Sequence, residues 1–140
     1  HAMNYLRVAD ERAQRGLHLR TFGGRRIQMA RHDEASMSDR ERRARAAARG
    51  RYGRNAVVQG AAAEFFKTWA VIVRARLPTA ARIVLCLHDE LLVHVPAARS
   101  DAAAELVDDA LQEAAYRWSP VSDVRFVADT STISRWSEAK

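Results

Sequence analysis

Two carboxylates stand side by side in His88-Asp89-Glu90, between the apolar runs Ile83-Val84-Leu85-Cys86-Leu87 and Leu91-Leu92-Val93. Apolar segments on both sides of a short polar tip predict a buried hairpin. A carboxylate carried into a core is costly unless a cation or hydrogen-bond donors meet it. A tip left in water needs neither, and Asp is an ordinary turn residue. The choice between a solvated turn and a metal-binding one therefore depends on the rest of the chain.

Hard carboxylate oxygens favour Mg2+ or Mn2+, which take one or two carboxylates and leave positions for water and phosphate oxygens. Zinc fits less well. Cys86, His88, Glu90 and His94 are evenly spaced and would share one face of an unbroken strand, but a turn at Asp89 breaks that parity. His88-x-Glu90 also lacks the Cys-x-x-Cys that would complete a zinc deaminase pattern. Cys86 is the single cysteine, so no internal disulfide forms, and its apolar strand predicts a packed thiol.

The net charge of +6 is unevenly distributed. Residues 1–60 hold fourteen arginines against six acids, and the remainder holds nine bases against eleven acids. Only Lys67 and Lys140 are lysines. Arginine's planar fork makes paired bonds to phosphates and base edges, so nucleic acid is the expected acidic partner. A GC-rich genome would also favour arginine over lysine, but it would not segregate the charge. The 140 residues fit one domain able to bury a core. The longest uncharged apolar stretch is too short for a membrane helix, and no signal peptide precedes the first amphipathic segment. A cytoplasmic, nucleoid-associated protein with no membrane partner is expected.

The elements that would position these groups follow from pattern. After His1-Ala2-Met3, which looks like a cloning scar, residues 4–15 predict a short helix. Segments 17–21 and 26–29 flank Phe22-Gly23-Gly24-Arg25 and predict a hairpin with Arg25 and Arg26 just past its tip. A polar loop over 30–37 leads to Ser38 and Glu41, a capping box opening an arginine-rich helix that Tyr52-Gly53 should break or bend. A second helix from Ala56 to about Leu77 carries Val58, Ala61, Ala62, Phe65, Phe66, Trp69, Ile72 and Val73 as a core stripe, and Pro78 ends it. Gly60 leaves room for a close neighbour. Strands at 82–87 and 91–95 follow. Next come a helix from Ser100 with stripe Ala103, Leu106, Val107, Ala110, Leu111 and Ala114, and a third strand over 121–128. The fold class is α+β: a small antiparallel sheet, made of the 82–95 hairpin plus 121–128, covered by helices, with an N-terminal hairpin.

The set Arg51-x-x-x-Asn55-x-x-x-Gln59-Gly60-x-Ala62-Ala63, an apolar helix, then Leu87-His88-Asp89-Glu90-Leu91 resembles the C-terminal palm region of family A, Pol I-like DNA polymerases. Thr21-x-x-Gly24-Arg25-Arg26 resembles the hairpin preceding it, and Trp136 to Lys140 resembles the family's C terminus. The resemblance implies a palm-like fragment, with residues 4–55 as a fingers-to-palm segment and 56–140 as the C-terminal palm subdomain. It implies that Asp89 is one of two aspartates holding a Mg2+ pair, with Glu90 supporting it, and that His88 approaches the primer end. Arg51, Asn55 and Gln59 would face the minor groove, whose acceptors barely differ between base pairs, so they would check pairing geometry without reading sequence. Arg25 and Arg26 would contact phosphate. The implied partners are primer-template DNA, deoxynucleoside triphosphates and the rest of a polymerase chain.

Gly50, Val57, Ala61, Glu64 and His94 depart from the common family residues, which suggests a divergent branch. The strand with the other metal-binding aspartate, and the fingers helix with the lysine and tyrosine that grip the nucleotide, have no match here. A chain with one metal ligand is expected to be inactive alone. Two other readings are a standalone basic nucleic-acid-binding module that keeps a palm-like scaffold without catalysis, and a structural or dimerising protein using the acidic helix at 101–117.

Overall fold

Local sequence signals account for where the first elements begin and end. In the computed structural model, which describes residues 2–29, 36–120 and 124–138, helix α1 spans Ala2–Gln14. Ala2 and Met3 are thus part of the first helix. Gly16, at φ 69°, closes α1: its N–H donates to Ala13 O at 2.8 Å, and the Leu17 N–H reaches Arg12 O at 3.0 Å. Only glycine takes that left-handed position freely. Strands β1 (Leu19–Arg20) and β2 (Arg26–Ile27) form the expected hairpin, in the register Leu19↔Ile27 and Arg20↔Arg26.

Helix α2 runs unbroken from Asp39 to Arg76, in place of the two helices expected to separate at Tyr52-Gly53. Its start is the capping box: Ser38 Oγ donates to Glu41 Oε2 at 2.7 Å, the Ser38 N–H donates to the same oxygen at 2.8 Å, and the Glu41 N–H returns to Ser38 Oγ at 3.4 Å. Glycine inside a helix costs roughly 1 kcal/mol relative to alanine, which close packing offsets here. A Cβ at position 53 would lie 2.5 Å from Ala13 Cβ and 3.0 Å from Leu19 Cδ1. Gly53 lets α1 and β1 approach and does not end the helix.

The chain divides into two compact units, residues 1–62 and 63–140, with the division inside α2. The core of the first unit is Ala9, Ala13, Leu19, Met29 and Val57, with Leu6 and Ile27 against it. Val58, expected in the stripe, is instead exposed. Val57 is buried in this core.

In the second unit, the α2 residues Trp69, Ile72 and Val73 pack on Ala110, Leu111 and Ala114 of α3 (Ser100–Trp118). The Trp69 indole N–H donates to Val107 O at 3.0 Å, so the buried ring carries no unmet donor. Glu113 ties the same helices at the surface, pairing with Arg76 and with Arg117. α2 is also long and apolar enough to cross a membrane by length and composition alone. Its Trp69, Ile72 and Val73 are buried in this unit's core.

Strands β3 (Arg82–Leu87) and β4 (Glu90–His94) pair antiparallel, with a register shift between Ile83 and Leu85. Ile83, Leu91 and Val93 pack on the core. Val84, Cys86 and Leu87 of β3 are exposed. One expectation is corrected here: Cys86 is exposed and is not a packed thiol.

The expected third strand does not form among the described residues. Residues 121–123 lie outside them, and 124–128 are not paired as a strand. This segment docks through side chains, with Phe126 stacked on Phe65 at 4.2 Å between ring centroids. Further on, the Thr130 hydroxyl donates to Asp108 Oδ1 at 2.6 Å. Phe65, Phe66 and Trp69 all make ring contacts inside this unit, as expected of core residues.

Candidate functional site

In the first unit, a network centred on Thr21 sets one face of the N-terminal hairpin against α2. The Thr21 N–H donates to Arg25 O at 2.9 Å, and Thr21 O accepts the Gly24 N–H at 3.0 Å. Thr21 Oγ1 accepts the Arg25 N–H at 3.0 Å. Gly24 takes φ 89°, and a Cβ added there would meet nothing within 4 Å, so the glycine is required by backbone conformation alone. The spacing Thr21-x-x-Gly24-Arg25 is therefore one hydrogen-bonded turn. Thr21 is buried at 5% exposure, and its methyl occupies the space that Gly60 leaves, since a Cβ there would sit 2.5 Å from Thr21 Cγ2.

That docking forms an open hollow of about 450 Å³, in which Arg25 from the hairpin meets Asn55, Gln59 and Tyr52 from α2. Arg51, Asn55 and Gln59 are all exposed on the unbroken helix, one turn apart each, so they project from one side. Arg51 does not line the hollow. Arg26 does not line it either: adjacent strand residues point to opposite faces, and Arg26 lines a second hollow with Arg12 and Arg20. Arg25 and Arg26 thus line hollows on two sides of the hairpin.

Tyr52, 57% exposed, is a lining residue that sequence reasoning missed. Residues 52, 55, 56, 59 and 60 follow helical spacing, a signal legible only once the helix is continuous through Gly53. Amide, guanidinium and phenol groups on one open face suit hydrogen bonding to acceptors that line a groove.

In the second unit, Leu87 pairs with Glu90 and closes a two-residue turn made of His88 and Asp89. All three polar residues of the tripeptide are exposed. His88 has φ 52°, and it is the one non-glycine with positive φ among the described residues. The left-handed region costs an L-residue about 1–2 kcal/mol, and strain of this kind clusters at functional turns. Asp89 therefore stands at the tip of a hairpin whose backbone is held in a costly shape.

Among the described residues no three His, Cys, Asp or Glu side chains group as a metal site, so the even-spaced zinc set is not assembled. Asp89 and Glu90 offer carboxylate oxygens of the type Mg2+ takes, but fewer than a complete protein ligand set. One carboxyl outside this site is perturbed. The Ser38 hydroxyl and backbone N–H hold Glu41 below the usual carboxylate range, and Arg45 adds attraction.

The sequence profile described as DNA polymerase family A matches residues 2–138. The thermostable DNA polymerase I of Thermus filiformis is 33% identical over 135 residues, covering 96% of this chain and 15% of the relative. DNA polymerase theta of Caenorhabditis elegans is 39% identical over 61 residues, covering 43% of this chain and 4% of the relative. Among solved structures, the POL domain of Pol1 from M. smegmatis, in complex with DNA primer-template and dNTP, aligns with a TM-score of 0.63 at 30% identity, covering 80% of this chain and 19% of that chain. The chain thus spans a fifth or less of the length of each relative. With a profile match running nearly end to end, the chain belongs to DNA polymerase family A.

Proposed function

We propose that this chain works as the C-terminal palm portion, residues 56–140, and the adjoining fingers-to-palm segment, residues 4–55, of a DNA-directed DNA polymerase that adds deoxynucleotides to a primer 3′ end. The observation that carries the reading is the joint placement of Arg25, Asn55 and Gln59 around one open hollow, in a chain whose family match is nearly complete. These groups and Arg51 would follow the minor groove of the primer-template. There, correctly paired bases present acceptors at nearly constant positions, so a mispair would leave the amides and guanidinium groups unmet.

Asp89 would hold Mg2+ or Mn2+ together with an aspartate this chain does not supply, with Glu90 in support and His88 near the primer end. When bound, the metal pair would supply charge neutralisation at the attacking oxygen and the leaving pyrophosphate. The chain's own part is to present Asp89 at the tip of a tight turn and to hold the duplex in register. A DNA repair or replication role and a cytoplasmic setting accord with this reading.

The test is magnesium-dependent primer extension. The 140-residue chain alone should extend nothing. In the longer protein, Asp89→Ala should lower the single-turnover rate about a thousandfold while primer-template affinity stays within about twofold. Extension that survives Asp89→Ala would sink the assignment of Asp89, and extension by the isolated chain would sink the division of the site.

A further inference from the structure

The side of the N-terminal hairpin opposite Arg25 forms a second hollow, of about 370 Å³, lined by Arg12, His18, Arg20 and Arg26 with Tyr5 and Val8. Arg20 and Arg26 are direct partners across the two-stranded ladder. Facing residues of a ladder have Cβ atoms about 4.5–5.5 Å apart, and like charges there are destabilising. Arg12, from α1, brings a third cation to the same place.

No carboxylate lines this hollow among the described residues. Asp10 is engaged by Arg54 at 3.1 Å and by Gln14 at 2.6 Å, and Glu11 is engaged by Arg7. Arg12 Nη2 donates to His18 O at 3.4 Å, and Arg20 Nη1 donates to Gly24 O at 2.7 Å. Those neutral acceptors orient the two guanidinium groups without neutralising them, and each keeps further N–H donors. His18 Nδ1 accepts the Met29 N–H at 3.2 Å, which leaves Nε2 to carry hydrogen and donate. Charges on an edge strand also deter pairing between sheets. That role needs no arginine from a helix and gains nothing from setting two arginines against each other.

We propose that this hollow is a phosphate-binding site in which Arg12, Arg20 and Arg26 surround one phosphate group of the bound nucleic-acid strand, so that the hairpin touches the strand on both sides. Arginine's fork is suited to the bidentate contact. The phosphate chemistry follows from the hollow itself, and only the choice of a strand phosphate over a free one rests on the polymerase reading.

The test follows the arginine Nε–Hε resonances of the 140-residue chain while recessed primer-template duplex, a deoxynucleoside triphosphate or inorganic phosphate is added. It is joined to the variant Arg20→Gln/Arg26→Gln. The resonances of Arg12, Arg20 and Arg26 should move with duplex at concentrations where the other two probes leave them in place. The double variant should bind duplex about tenfold more weakly at low salt, and its log–log salt slope should be shallower by about one. It should melt no lower than the parent, because the facing like charges are gone.

Arg25 moving with duplex while the other three stay still would overturn the site and leave the polymerase reading standing. Triphosphate or inorganic phosphate moving the three as strongly as duplex does would overturn the strand as occupant. Duplex binding to neither hollow, with the three arginines still moved by inorganic phosphate, would uphold the phosphate site and overturn the polymerase reading. A double variant that melts lower and binds duplex normally would show the arginines to be structural and overturn the proposal.

Discussion

Each of the two hairpins turns through a residue with positive φ, and they fill that position differently. The first uses Gly24 at φ 89°, and the second uses His88 at φ 52°. The first is also locked against its helix, with Thr21 set into the space at Gly60 and Leu19 beside Gly53, whereas the second leaves Val84, Cys86 and Leu87 exposed. A hairpin that only has to place arginines can relax its turn with glycine and gain rigidity from packing. The hairpin that carries the carboxylates keeps a strained non-glycine beside Asp89. Such strain persists only where the surroundings over-determine it, and this accords with a turn whose shape matters for what it binds.

The largest expected effect lies in the locked hairpin. Gly53→Val should destabilise the chain by about 3 kcal/mol, since its Cβ would meet Ala13 and Leu19 at or below contact distance. Urea unfolding measures it, and a loss under about 1 kcal/mol would mean that α1 and β1 are not held there. Gly24→Ala comes next, at about 1–2 kcal/mol from backbone strain alone, because no atom lies within 4 Å of the added methyl.

His88→Gly should act in the opposite direction in the second hairpin. Relief of the left-handed strain is partly offset by the extra freedom glycine has in the unfolded chain, leaving a net gain of about 0.5 kcal/mol. A loss of stability on this change would show that the imidazole makes a stabilising contact and erase the contrast between the two turns.

The smallest effect is a pH dependence at the start of α2. Glu41 titrates below its ordinary range in the folded chain. The stability it adds is therefore full above the ordinary glutamate value of about 4.3 and is lost as pH falls through the depressed one. The melting difference between the parent and Glu41→Ala should thus shrink to nothing in acid, and a difference that persisted there would assign the effect to helix propensity.

The capping box at Ser38 and Glu41, the stripe of α3 and the glycine hairpin were legible in sequence because each is a local pattern. What sequence misjudged depended on partners distant in the chain. Gly53 reads as a breaker until α1 is seen to need its missing side chain. Val121 to Ala128 alternates like a strand, yet its described part docks through Phe126 on Phe65. Cys86 looks buried in an apolar run, yet it is exposed. The candidate site shows the same limit. Asp89 stood out by type and setting, and Asn55 and Gln59 through the family resemblance, but Thr21's hold on the turn and the separation of Arg25 from Arg26 needed the fold.

The most direct measurement of the central claim is the affinity of the 140-residue chain for a recessed primer-template junction against a blunt duplex of the same length, at one fixed salt concentration. The account expects the junction to be preferred, and expects Asn55→Ala/Gln59→Ala to remove that preference while the salt dependence set by the arginines remains. Equal affinity for the two duplexes, unchanged by the double substitution, would contradict it and favour a basic module that binds nucleic acid through charge alone.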